Sequence, residues 1–284
     1  MKKKYSYLWA LVVPFLFALF LWYTGRGTPG EAEKAQLDLS RIDRGVVSVR
    51  YAGDSTDRVK CQISKTGGMD YNYDLDNTGE WETFALTQGE GEYTLRVLEQ
   101  LEGNRYTPVY TYTIDLKLDD PLFPYLESNQ FVRYYDFSGC VTLAGELTAA
   151  METDSQKIDA LLTYVAGALE YDDEKAATVP SGYLPDVDLV LEEGKGICFD
   201  YAALLCAMLR AQGIPARMAV GDCGEAYHAW VEVWSRTEGE AGGIPLVPGA
   251  WTRLDPTFLS QRGQTAFILN YIQEDGNYQT RYLY

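Results

Sequence analysis

Gly194-Lys195-Gly196-Ile197-Cys198-Phe199-Asp200-Tyr201-Ala202 is a glycine-rich approach to a cysteine that opens an apolar run. The run ends near Gln212, with Gly213 where a C-terminal cap belongs and Pro215 just beyond, so the pattern predicts a helix from about Cys198 to Gln212. Cys198 then sits in the first turn, where unpaired N–H groups favour an anion and stabilise a thiolate relative to a thiol. Its own N–H is placed to donate to an oxyanion on a substrate carbonyl. Small Gly196 lets a substrate backbone come close. Cys206, beside Leu205 and Met208 in the helix interior, reads as a packing residue. Cys223, in a glycine-containing loop, has no role in this reading.

Thirty residues after Cys198 comes His228, the single histidine of the chain, in Ala226-Tyr227-His228-Ala229-Trp230-Val231-Glu232-Val233-Trp234. Any histidine-dependent chemistry must run through it. Twenty-seven residues further is Asp255, in Trp251-Thr252-Arg253-Leu254-Asp255-Pro256-Thr257. Taken singly, His228 reads as a core histidine with a backbone partner, and Asp255 as a turn residue before a proline. Together, three separated segments supply a nucleophile, a base and an orienting acid in the order helix, strand, strand. Cys198 and His228 would form a thiolate–imidazolium pair, with Asp255 fixing the tautomer and stabilising the cation.

With Leu209-Arg210-Ala211-Gln212-Gly213-Ile214-Pro215-Ala216-Arg217 added, these blocks make the segment from about Leu161 to Phe258 resemble the transglutaminase-like superfamily, a branch of the papain-type thiol enzymes. The resemblance implies an α+β papain-like core, a cysteine-bearing helix packed on an antiparallel sheet. The family's Cys, His and Asp roles fall on Cys198, His228 and Asp255. Tyr171, in Leu169-Glu170-Tyr171-Asp172-Asp173, resembles the family's upstream aromatic that helps hold the oxyanion; a tyrosine that merely ends a helix is the competing reading. One departure is the stretch Ser235 to Ala250, where relatives often have a short turn. It is expected to stay on the surface near the site entrance, where it could serve as a lid.

The remaining organisation comes from pattern. A basic Met1-Lys2-Lys3-Lys4 precedes an uncharged run from Tyr5 to Tyr23, close to the roughly 20 residues that span a bilayer. Residues 1–24 are therefore expected to be a signal anchor, with the lysines inside and the rest of the chain outside the cell membrane; secretion after signal cleavage is the alternative. Residues 25–44 read as a linker. Short alternating runs over 45–118 predict a small all-β sandwich of the immunoglobulin-like kind. Asp119-Asp120-Pro121 marks the boundary to a thiol-enzyme domain over 119–284. Within it, Lys157 to Val165 reads as a helix capped by Asp154 or Ser155, and Phe267–Gln273 with Tyr278–Tyr284 as a hairpin about Asp275-Gly276.

Composition excludes other classes. The net charge is −17, with 24 basic against 41 acidic residues, so a nucleic-acid-binding face is not expected. Five cysteines are an odd number and match no disulfide scaffold. A zinc site of Cys198, Cys206, Cys223 and His228 fails on distance, since eight helical residues separate the first two by roughly 12 Å. No metal or cofactor is expected. The expectation is an exported thiol-dependent acyl-transfer enzyme that hydrolyses peptide or amide bonds of a protein or peptide, such as one at the cell surface or wall. Protein cross-linking and a non-catalytic interaction scaffold are the rivals.

Overall fold

The computed structural model describes residues 34–284. The anchor expected at 1–24 and part of the expected linker lie outside them. Among the described residues no helix is long and apolar enough to cross a membrane.

The first unit is built of seven antiparallel strands: β1 (Ala35–Asp38), β2 (Val46–Tyr51), β3 (Val59–Lys65), β4 (Asp70–Leu75), β5 (Glu82–Ala85), β6 (Gly91–Glu102) and β7 (Arg105–Leu116). They form a three-stranded sheet, β1-β2-β5, and a four-stranded sheet, β4-β3-β6-β7. Alternation dictates the pairing. In β3, Val59, Cys61 and Ile63 are buried while Lys60, Gln62 and Ser64 lie on the outer face. Inner-face residues of both sheets, among them Val47, Val49, Phe84, Leu95 and Val97, make one core. β1 falls in the stretch expected to be linker. Its four residues are too short a run to show alternation, yet Ala35 is buried and pairs with Tyr51.

The second unit runs α1 (Gly139–Thr148), α2 (Asp154–Ala168), β8 (Glu170–Tyr171), α3 (Asp173–Thr178), α4 (Val187–Glu193), β9 (Lys195–Gly196), α5 (Cys198–Ala211), β10 (Ala216–Cys223), β11 (Ala226–Trp234), β12 (Gly239–Ala241), β13 (Ile244–Leu246), β14 (Trp251–Leu254), α6 (Pro256–Arg262), α7 (Ala266–Gln273) and β15 (Tyr278–Leu283). The antiparallel sheet has the order β14-β11-β10-β15. α5 is buried along nearly its whole length, because β10 and β11 cover one flank while α1, α2, α4 and α6 pack on the others. Gly213, at φ +70°, closes it as expected. The cap of α2 is Thr153, whose side chain accepts the Gln156 N–H; Asp154 and Ser155 are already inside the helix.

Two expectations are corrected. Residues 266–273 are a helix, not a strand. The Thr265 side chain caps it by accepting the Ile268 N–H, and its apolar residues follow helical spacing toward buried Ile272. β15 therefore pairs with β10 instead of folding back in a hairpin. The insertion 235–250 is not a surface flap. β12 and β13 pair, Ala241, Ile244 and Leu246 are buried, and the Gly242 N–H donates to Asp159 on α2.

The two units meet through aromatic rings. Tyr284 stacks on Phe131 at 4.0 Å, and Tyr71 meets Tyr282 and Tyr284 edge-on at 5.3 and 5.6 Å. The Leu283 N–H donates to the Tyr71 hydroxyl, and the Thr87 hydroxyl donates to the Leu283 carbonyl. Glu127 pairs with Arg41 and Arg44 across the same junction. Buried Arg210 donates to main-chain oxygens of Glu127, Ala216 and Tyr284. Between these contacts and the sheet centre lies Gly221, where β10 changes register against β15. A Cβ there would stand 2.0 Å from the Gln279 carbonyl oxygen. Gly221→Ala should therefore destabilise the fold by about 2–3 kcal/mol in urea denaturation, since β15 must shift to accept one methyl.

Candidate active site

The start of α5 is held from three sides. β8 and β9 pair in parallel, setting Tyr171 opposite Gly196, two residues before Cys198. Fully buried Asp200 turns back to accept the Ile197 N–H at 2.9 Å, Lys175 Nζ at 2.7 Å and the Tyr183 hydroxyl at 2.5 Å. A Cβ on residue 196 would lie 2.7 Å from the Asp200 Cβ, so this cap leaves room only for glycine. Among the described residues no acceptor meets the N–H of Cys198, as expected of a first-turn amide.

His228 and Asp255 arrive from neighbouring strands. β11 pairs with β14, which delivers Asp255 as the cap of α6. Asp255 is fully buried and its oxygens are well used. Oδ2 meets His228 Nε2 at 2.8 Å and accepts the Tyr278 hydroxyl at 2.9 Å, while Oδ1 accepts the Phe258 N–H at 2.9 Å. The Phe258 ring lies nearly parallel to the imidazole at 5.2 Å and fixes its plane. With Nε2 on Asp255, Nδ1 is the nitrogen left for Cys198. Burial pushes the His228 pKa down, but the charge and hydrogen bond of Asp255, followed by the hydrogen bond and charge of Cys198, reverse this and push it up to about 10. The imidazole is thereby held as a cation at neutral pH, beside the thiol. Burial and then the Asp255 charge push the Tyr278 hydroxyl upward, keeping it a donor.

Cys198 opens onto a cavity of about 590 Å³ between the two units, lined on the thiol side by Tyr171, Phe199 and Tyr227. The Tyr171 pKa is pushed up to about 12, first by burial and then by the charges of Cys198 and Asp173, so its hydroxyl is neutral, and the residue lines the same cavity as the thiol. The structure thus brings Cys198, His228, Asp255 and Tyr171 to one place. No residue of 235–250 lines this cavity, which removes the ground for a lid there. Cys206 is fully buried, and burial pushes its thiol up to about 12. Cys223 Sγ lies 3.8 Å from the Tyr271 hydroxyl. Among the described residues no three His, Cys, Asp or Glu side chains are grouped to hold a metal. Sequence reasoning missed Tyr278, Asp200, Lys175 and Tyr183. An acidic residue three positions into a helix is a capping signal that points to Asp200. Nothing local marks Tyr278, whose role depends on β15 pairing with β10.

Residues 141–256 match the family model described as the transglutaminase-like superfamily. This stretch is a transglutaminase-like domain. No curated protein matches the sequence. Solved structures similar to the chain include a protein described as a presumptive cysteine protease from Cytophaga hutchinsonii (18% identity, TM-score 0.39, covering 73% of this chain and 68% of that one). Another is the periplasmic domain of TgpA from Pseudomonas aeruginosa, bound to ethylmercury (18% identity, TM-score 0.36, 88% and 100%). A third is red sea bream transglutaminase (14% identity, TM-score 0.32), of which this chain covers 49% while 77% of this chain is matched.

The raised imidazole pKa sets a pH dependence. A base with a folded pKa near 10 and an ordinary value of 6.5 contributes stability that is whole below pH 6.5 and lost as pH rises through 10. Asp255→Asn should flatten that decline, seen as a smaller fall in Tm between pH 6.5 and 10 than in the unsubstituted protein. Tyr278→Phe leaves a lone pair of a buried carboxylate unmet. It should cost about 1–3 kcal/mol in chemical denaturation.

Proposed function

We propose that the chain is an exported, membrane-anchored thiol enzyme that hydrolyses peptide or amide bonds through Cys198, His228 and Asp255. What carries the reading is one arrangement: an imidazole bound to a fully buried carboxylate at 2.8 Å and influenced by a thiol at a helix start, beside an open cavity. In the proposed reaction the Cys198 thiolate attacks the carbonyl carbon and a C–S bond forms. The carbonyl π electrons move to oxygen, where the Cys198 N–H and the Tyr171 hydroxyl receive them. The C–N bond then breaks as the His228 imidazolium gives its proton to the leaving amine, and a thioester remains. Water, deprotonated by neutral His228, attacks the thioester. The C–S bond breaks, releasing a carboxylic acid and returning the thiolate–imidazolium pair.

An amine in place of water would yield a cross-link, and the steps to the thioester are shared. The exported location rests on the lysine-flanked apolar run at 5–23.

Iodoacetamide alkylation followed by peptide mass spectrometry tests the thiol. Cys198 should react at least about 100-fold faster than Cys206 at pH 7, and His228→Ala should slow it about 100-fold. Incubation with a peptide mixture should then leave a mass-detectable acyl group on Cys198, absent from Cys198→Ala. An inert Cys198 in the folded protein would overturn the reading and leave a binding role.

A further inference from the structure

The all-β unit is more than a neighbour, because the outer face of its four-stranded sheet is the far wall of the cavity onto which Cys198 opens. Arg58, Lys60, Asn72 and Asp74 line it from that side. Lys60 on β3 stands directly opposite Asp74 on β4, so the two side chains share the sheet face that meets the cavity. Among the described residues the only acidic side chain in the lining is that of Asp74, and it is already engaged by both Arg58 Nε and Nη2. Those two charges cancel. Lys60 does not share in the pair, and its Nζ is 5.1 Å from the Tyr106 ring. Among the described residues no carboxylate lies within 4.0 Å of it. The wall therefore keeps one uncompensated positive charge in a chain whose net charge is −17.

The opposite side of the cavity is aromatic and neutral, with Tyr171, Phe199 and Tyr227 around the thiol. Taken as a sphere, a cavity of about 590 Å³ would be about 10 Å across, a distance covered by about three extended residues. A chain whose reacting carbonyl sits at Cys198 can thus place a side chain two or three residues away against Lys60. A carboxylate there gains a charge-assisted hydrogen bond, and an amide of the same shape does not.

Resting on the thiol-enzyme reading for its chemistry, we propose that the substrate's acyl side bears a carboxylate two or three residues from the reacting carbonyl and that Lys60 on the all-β unit selects for it. The specificity of the site is then set outside the transglutaminase-like domain, by a strand about 140 residues before the nucleophile (198 − 60 = 138).

Two measurements test this. In the first, Cys198 is labelled by pairs of tripeptidyl chloromethyl ketones that are identical except for glutamate or glutamine two or three residues from the reacting carbon. Each rate is divided by the same protein's iodoacetamide rate, which normalises for thiol reactivity. At low salt the glutamate probe should be favoured about ten-fold. The preference should shrink as salt is added, vanish in Lys60→Gln and invert in Lys60→Glu. Equal preferences in all three proteins, or a glutamine preference in the unsubstituted one, would overturn the proposal. In the second, the Cys198→Ala protein, with and without Lys60→Gln, binds fluorescent peptide amides of the same sequences in an anisotropy titration. The same ten-fold preference is expected, and its absence overturns the proposal. Should Cys198 prove inert, the catalytic reading falls, and the anisotropy result alone decides whether Lys60 selects a carboxylate.

Discussion

A fully buried carboxylate is tolerated only where its charge is matched and its lone pairs are filled, and Asp255 meets both conditions by drawing on three elements at once. His228 comes from β11, Tyr278 from β15 and the Phe258 N–H from α6. Removing any of them leaves an uncompensated charge or acceptor in a dry place, which costs far more than the contact itself contributes. β11, β15 and α6 are thus locked in mutual register by one side chain. The same constraint tunes the imidazole: burial opposes its positive charge, and the carboxylate together with Cys198 overrides burial.

Cys198 is positioned by a second buried acid. Asp200 caps the helix that carries Cys198, and it is neutralised by Lys175 from α3 and bonded by Tyr183 from the following loop. One carboxylate orients the imidazole and the other orients the helix of the thiol. Beside the thiol the cavity between the two units stays open.

Much of this was readable in residue patterns. Alternation marked most of the strands, and glycine-then-proline marked the end of α5, because those signals are local. Cys198, His228 and Asp255 stood out as candidates because the chain has a single histidine, and the structure joins His228 to Asp255. What escaped had non-local causes. Phe267 to Gln273 is apolar enough for either a strand or a helix, and Thr265 as a cap decides the matter. β1 is too short to show a period, and it is defined by pairing with β2. The insertion looked like a solvent loop by its glycines and glutamates, yet Ala241, Ile244 and Leu246 alternate inward across its hairpin. Tyr278 is one of 22 tyrosines, and only tertiary pairing distinguishes it.

β15 joins these themes. Its first residue fills a lone pair of Asp255, its main chain completes the sheet beside β10, and Tyr282 with the adjoining Tyr284 seats the all-β unit. Seven residues, Tyr278 to Tyr284, thereby bolt together the carboxylate partner of the imidazole, the hydrophobic scaffold and the far side of the cavity. Modular shuffling of this architecture is consequently restricted: a different all-β partner could be grafted on only if it brought matching aromatic sockets, or the graft would unsettle the geometry around Asp255 and His228 through the same seven-residue segment.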